Sequence, residues 1–92
     1  MAGDVTRVLT IINEKGLHAR ASAKLVELVE GYEAEAEVSK DGLSVTGDSI
    51  MGLLMLAAAR GCAIEVKTSG VQADELADAI EALVADKFGE DA

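Results

Sequence analysis

The sequence predicts an α+β fold. The expected architecture is a two-layer open-faced sandwich in the order βαββαβα, with a four-stranded antiparallel sheet covered on one face by three helices. Segments that alternate apolar and polar residues interleave with segments whose apolar residues recur at helical spacing. The alternating segments put charge on one face, so their sheet needs a cover on one side only. No proline interrupts the chain, and Gly16, Gly31, Gly42, Gly47, Gly61 and Gly70 divide it into short units. With 92 residues, half of them hydrophobic, the chain 1–92 reads as a single domain. Its core must be built from Ala, Val, Ile, Leu and Met, because Tyr32 and Phe88 are the only aromatic residues.

The elements follow in order. Val5 to Ile12 is rich in β-branched residues and reads as a strand, although its apolar residues do not alternate strictly. From Ala19 to Glu30 the period changes. Ala21, Leu25, Leu28, Val29 and Tyr32 then fall on one helical stripe, with Gly31 as the stop. Glu33 to Val38, "EAEAEV", is a strand with Ala34, Ala36 and Val38 inward and three glutamates in water. "KDG" at Lys40–Gly42 is hairpin-turn chemistry, and Leu43–Thr46 is the returning strand. Ser49 to Arg60 reads as a short apolar helix ended by Gly61. Cys62, Ile64, Val66 and Thr68 alternate with Ala63, Glu65 and Lys67 as a fourth strand. Leu76, Ile80, Leu83, Val84 and Phe88 form the last helical stripe, with Asp74 and Glu75 near its start, where the dipole favours anions. Glu33, Glu35, Glu37, Glu65 and Lys67 are expected on the open face, and the acidic tail after Gly89 is expected to fray.

The formal net charge of −9 argues against nucleic-acid binding, which draws on Lys and Arg at phosphates, and against attraction to anionic membranes. Cys62 is the single cysteine, so no internal disulfide forms; at the head of a strand it reads as a buried structural thiol. No apolar leader or membrane-length run is visible, and the expected compartment is the cytoplasm.

The chemistry concentrates at "EKGLHARASAKLV", residues 14–26, which holds the only histidine, His18. A strand ends before it and a helix begins after it, so His18 falls at or beside the helix N-cap. The first backbone N–H groups there, at Ala19 and Arg20, lack intrahelical partners and favour an anion, commonly phosphate. Gly16 lets the chain turn sharply into the helix. The helix start, with Arg20 and Lys24 nearby, disfavours an imidazolium, so His18 is expected neutral with a free lone pair. A neutral imidazole is a nucleophile able to carry a covalent group. Arg20 could donate a charge-assisted bond to a phosphoryl group placed there. A second histidine, an acidic cluster near His18 and a nucleotide-binding glycine loop are all missing from the sequence, so a carrier that borrows its substrate sites from other proteins fits better than a self-contained enzyme. The bland alternatives are a capping or surface histidine and a solvated Arg20.

"GLHARASAKLVELV" followed by "GDSIMGLLMLAAARGCAIEV" resembles the HPr family, the histidine-containing phosphocarrier proteins of the bacterial phosphotransferase system. The likeness spans about Val5 to Phe88 and is most like the nitrogen-related branch, or the similar form found in bacteria lacking a full sugar-transport system. It implies that His18 is phosphorylated at Nδ1 by enzyme I, itself charged by phosphoenolpyruvate, and passes the group to an enzyme IIA of nitrogen or sugar type. It implies a stoichiometric carrier rather than a turnover enzyme, with no cofactor and no metal. Arg20 matches the arginine beside the phosphoryl group, and Ser49 matches the serine that an HPr kinase/phosphorylase modifies in some members. The family usually has proline after that arginine, where this chain has Ala21; alanine restores an N–H and keeps the helix start. A competing function is a regulatory domain that holds an anionic ligand noncovalently at His18 and Arg20.

Ser49 also suits an N-cap and nothing more. In the helix after it, Leu53, Leu54 and Leu56 are expected to face the core. Ile50, Met51 and Met55 are expected to stay exposed beside His18, forming with Lys24 a docking surface for both donor and acceptor proteins. The competing reading of that patch is ordinary core filling. The free chain is expected to be a monomer.

Overall fold

A computed structural model describes residues 4–92. Met1, Ala2 and Gly3, which the single-domain expectation includes, lie outside the described residues. The elements are β1 (Val5–Thr10), α1 (Ala19–Glu30), β2 (Glu35–Lys40), β3 (Leu43–Thr46), α2 (Ile50–Met55), β4 (Ala63–Ser69) and α3 (Ala73–Ala85), followed by a tight turn at Lys87–Gly89. The strands form one antiparallel sheet in the order β1-β4-β2-β3. The order βαββαβα and the open-faced sandwich are as expected. Ala36, Val38, Ile64 and Val66 point into the core, while Glu35, Glu37, Glu65 and Lys67 stand in water.

The register of β1 explains why its facing is illegible in the sequence. Leu9 is buried, Val8 on the opposite face is 69% exposed, and the inward side also carries the half-buried Arg7. Arg7 bonds Asp78 at 2.8 Å and Glu81 at 2.7 Å on α3, so a charged residue takes an inward place in the strand. Glu81 first and Asp78 second hold the guanidinium above its ordinary pKa. Regular pairing ends at Thr10, although Ile11 still exchanges backbone bonds with Cys62 and Gly61.

Helix α1 has its expected limits and stripe, with Ala21, Leu25 and Val29 buried and Leu28 and Tyr32 packed at the edge of the core. Gly31 caps it in right-handed geometry, so the glycine is not required there by a left-handed turn. The strand read at Glu33–Val38 is shifted to Glu35–Lys40. Asp41 and Gly42 both have positive φ, as a two-residue hairpin turn demands.

Five expectations are corrected. The helix after Ser49 ends at Met55 rather than Arg60. Ala57 turns left-handed at φ 50°, and the Ala58 carbonyl accepts from Leu17 N–H at 2.8 Å. A long-range contact thus overrides the helix preference of three alanines. With the helix shortened, Leu54 is 36% exposed rather than in the core, while Leu53 and Leu56 are buried. Cys62 lies before β4 rather than within it and is only partly buried. Phe88 is fully buried as a core residue, but it is not helical: α3 stops at Ala85, and Lys87, Phe88 and Gly89 all have positive φ. That reversal sends the chain back toward the start of α1. Consequently the tail does not fray at once, and Glu90 is held.

Candidate functional site

The loop before α1 is pinned from two sides. Asn13 is fully buried and its Nδ2 donates to the Gly16 carbonyl at 2.8 Å, while Gly16 N–H returns a bond to the Asn13 carbonyl at 3.2 Å. Gly16 has φ +66°, and a Cβ there would lie 2.5 Å from the Ala58 oxygen. Both facts require glycine. Leu17 is buried, and its N–H to Ala58 ties this loop to the irregular segment after α2. The short α2 and the sharp entry to α1 are therefore two sides of one contact.

His18 is the N-cap of α1, with extended backbone and a carbonyl that accepts from Ser22 N–H at 2.8 Å. Its side chain makes no cap bond, and no acidic residue occupies the first turn. The first amides of α1, including those of Ala19 and Arg20, are left without intrahelical partners. The ring is 27% exposed, enough to meet another molecule at an edge. Arg20 is exposed and makes no ion pair among the described residues.

The positive surroundings expected for the ring are only partly present. Lys24 Nζ donates to the Phe88 carbonyl at 2.6 Å, which fastens the C-terminal turn to α1. A carboxylate enters instead: one Glu90 oxygen pairs with His18 Nε2, and the other accepts from Asn13 Nδ2 at 3.0 Å. The Asn13 amide first, and His18 second, hold the Glu90 carboxyl below its ordinary value. Asn13 and Glu90 were missed in the sequence. The spacing of Asn13 to Gly16 carried a turn signal that could have revealed the first. Glu90 lies 72 residues from His18, and no local pattern points to that contact.

The second helix start is built differently. Ser49 caps α2 with its own side chain, Oγ accepting from Gly52 N–H at 3.0 Å. Gly52 allows the close approach, since a Cβ there would stand 3.2 Å from that oxygen. Ile50 at 39%, Met51 at 71% and Met55 at 67% are exposed on α2, which packs against α1. Among the described residues no group of three His, Cys, Asp or Glu side chains converges as a metal site, and no helix is long and apolar enough to cross a membrane.

Comparison with known proteins agrees with this architecture. Residues 5–86 match the PTS-HPr family, described as the PTS HPr component phosphorylation site. The phosphocarrier protein HPr of Cupriavidus necator is 46% identical, over 91% of this chain and 94% of its own. The phosphocarrier protein NPr of Escherichia coli is 40% identical, over 95% of this chain and 98% of its own. The crystal structure of HPr-C-His from Thermoanaerobacter tengcongensis superposes with a TM-score of 0.88 at 32% identity, covering 98% of this chain and 99% of that one. Relatives of both names thus align almost end to end with this chain, a solved HPr shares its fold, and this protein belongs to the HPr family of phosphocarrier proteins of the phosphotransferase system.

Proposed function

We propose that His18 accepts a phosphoryl group at Nδ1 from phosphorylated enzyme I, charged by phosphoenolpyruvate, and passes it to an enzyme IIA of nitrogen or sugar type. The observation that carries this reading is the solitary histidine at the N-cap of α1 with a side chain that does not cap its own helix. Unpartnered amides at the same turn supply fixed partial positive charge for phosphoryl oxygens. The exposed Arg20 guanidinium, two residues on, provides a mobile donor to the same oxygens. Ala19 and Arg20 contribute backbone N–H groups. The transfer needs the Nδ1 electron pair, an in-line donor and little else from this chain, in keeping with a stoichiometric carrier.

Docking of both partners falls to the exposed Ile50, Met51 and Met55 on α2, with Lys24 on α1, whose amine is held by the Phe88 carbonyl, as a further contact. Flexible thioethers adapt to unlike surfaces. Met51→Asp is expected to slow transfer. Ser49 is the regulatory position. A phosphate on its Oγ, added by an HPr kinase/phosphorylase, would bring about −1.5 to −2 charge beside that patch and weaken partners that present carboxylates. The working protein is a cytoplasmic monomer of one domain.

The test is incubation with enzyme I and labelled phosphoenolpyruvate. Acid-labile, base-stable label on the parent and none on His18→Ala supports the carrier. Label absent from both, or equal on both, overturns it, and noncovalent binding of phosphate by the parent would then favour an anion-binding domain.

A further inference from the structure

We propose that Glu90 is a positioning residue for His18: its carboxylate, anchored by the buried Asn13 amide, takes the hydrogen bond of the Nε2 proton, fixes the ring in one orientation and leaves Nδ1 with the free electron pair. The inference rests on the phosphocarrier reading and deepens it.

The contact is built by the fold rather than by a wandering tail. Phe88 is fully buried and anchors the segment in the core. Lys24 Nζ grips the Phe88 carbonyl at 2.6 Å, and the positive φ of Lys87, Phe88 and Gly89 turns the chain back over the start of α1. Glu90 is then only 15% exposed, whereas the following Asp91 is exposed. Both carboxylate oxygens are used, one by His18 Nε2 and one by Asn13 Nδ2 at 3.0 Å. Asn13 is itself held by the Gly16 carbonyl at 2.8 Å, in the loop that sets the entry to α1. Histidine, glutamate and asparagine therefore form a chain of bonds that ends on backbone.

An ionised carboxylate only accepts, so the nitrogen it faces must carry the proton. With Nε2 protonated, the neutral ring has its lone pair on Nδ1. A nucleophile oriented by a third group is a common arrangement in covalent catalysis. When the Nδ1 pair forms the bond to phosphorus, the bond from phosphorus to the donor breaks and its pair stays with the donor. The ring keeps its Nε2 proton and becomes cationic, with the Glu90 charge against it. In the onward step the N–P bond breaks, its pair returns to Nδ1, and the acceptor's pair makes the new bond.

The experiment compares the parent with Glu90→Ala, Glu90→Gln and a chain ending at Gly89, all of which keep Phe88. Nitrogen-15 NMR of the ring should show an Nε2–H in slow exchange in the parent and fast exchange in Glu90→Ala and the shortened chain. Phosphorylation by enzyme I and phosphoenolpyruvate should fall on the order of tenfold in kcat for those two. KM for the carrier should be unchanged, and Glu90→Gln, which keeps an acceptor without the charge, should fall between. Equal rates in parent and Glu90→Ala overturn the proposal. So does a rise in KM alone, or a slower rate with unchanged ring spectra, since the tail would then act by docking. If the parent takes no label, the carrier reading fails, while the ring spectra still decide whether Glu90 holds His18.

Discussion

Two helices in this protein begin in opposite ways. At α2 the cap residue, Ser49, turns its own oxygen onto Gly52 N–H and closes the helix end locally. At α1 the cap residue, His18, contributes only backbone, and its ring reaches away to Glu90. The same unsatisfied amides exist at both starts. One set is partly quenched by a side chain, while the other is left for a group from outside. On the proposed function, the difference separates a helix start closed by its own side chain from one open to a phosphoryl group, and it gives the two residues different expected mutational signatures.

The comparison breaks most completely if the α1 entry is deformed. Gly16→Ala forces a left-handed alanine and sets its Cβ 2.5 Å from the Ala58 oxygen. Chemical denaturation should show a loss of about 2 kcal/mol or more, with phosphorylation impaired because the loop that aims His18 moves. A smaller loss is expected at the closed cap. Ser49→Ala removes the bond to Gly52 and should cost about 1 kcal/mol in urea unfolding, with transfer through His18 unchanged. His18→Ala should behave in the reverse manner. It removes no cap bond, only the ring's bond to Glu90, whose other oxygen keeps the Asn13 amide, so its loss in urea unfolding should be smaller than that of Ser49→Ala. A larger loss at His18 than at Ser49 would erase the distinction.

Met51→Asp sharpens the contrast at the surface. Met51 is 71% exposed, so stability should stay within about 0.5 kcal/mol, while the rate of phosphoryl transfer falls. Unchanged rates would remove α2 from the docking surface. The smallest effect is on pH. Glu90 is held below its ordinary value of 4.5 by Asn13 and then His18, so its contribution to stability is present above that value and is lost as pH falls through the lowered one. A carbon-13 titration of the carboxyl should show the low midpoint, and Asn13→Ala should raise it.

The hairpin was legible because its signals are local: alternation in "EAEAEV" and Asp41–Gly42 at the turn. The position of His18 at a helix start was legible for the same reason. Helix α2 was overextended because the Ala57 reversal depends on Leu17 binding Ala58, which is decided across the fold. Arg7 hid the facing of β1 because its partners lie on α3. Phe88 was rightly read as core but wrongly as helical, and the left-handed turn that delivers it also brings Glu90 to the site. Apolar period reports burial, and it does not report where a chain reverses.

The most direct measurement is phosphorus–nitrogen NMR on nitrogen-15-labelled protein after exposure to enzyme I and phosphoenolpyruvate. One phosphoryl group coupled to Nδ1 of His18, with Ser49 unmodified, is the predicted result. Phosphorus bound at any other atom, or none bound at all, would contradict the claim that the open cap of α1 is the carrier site.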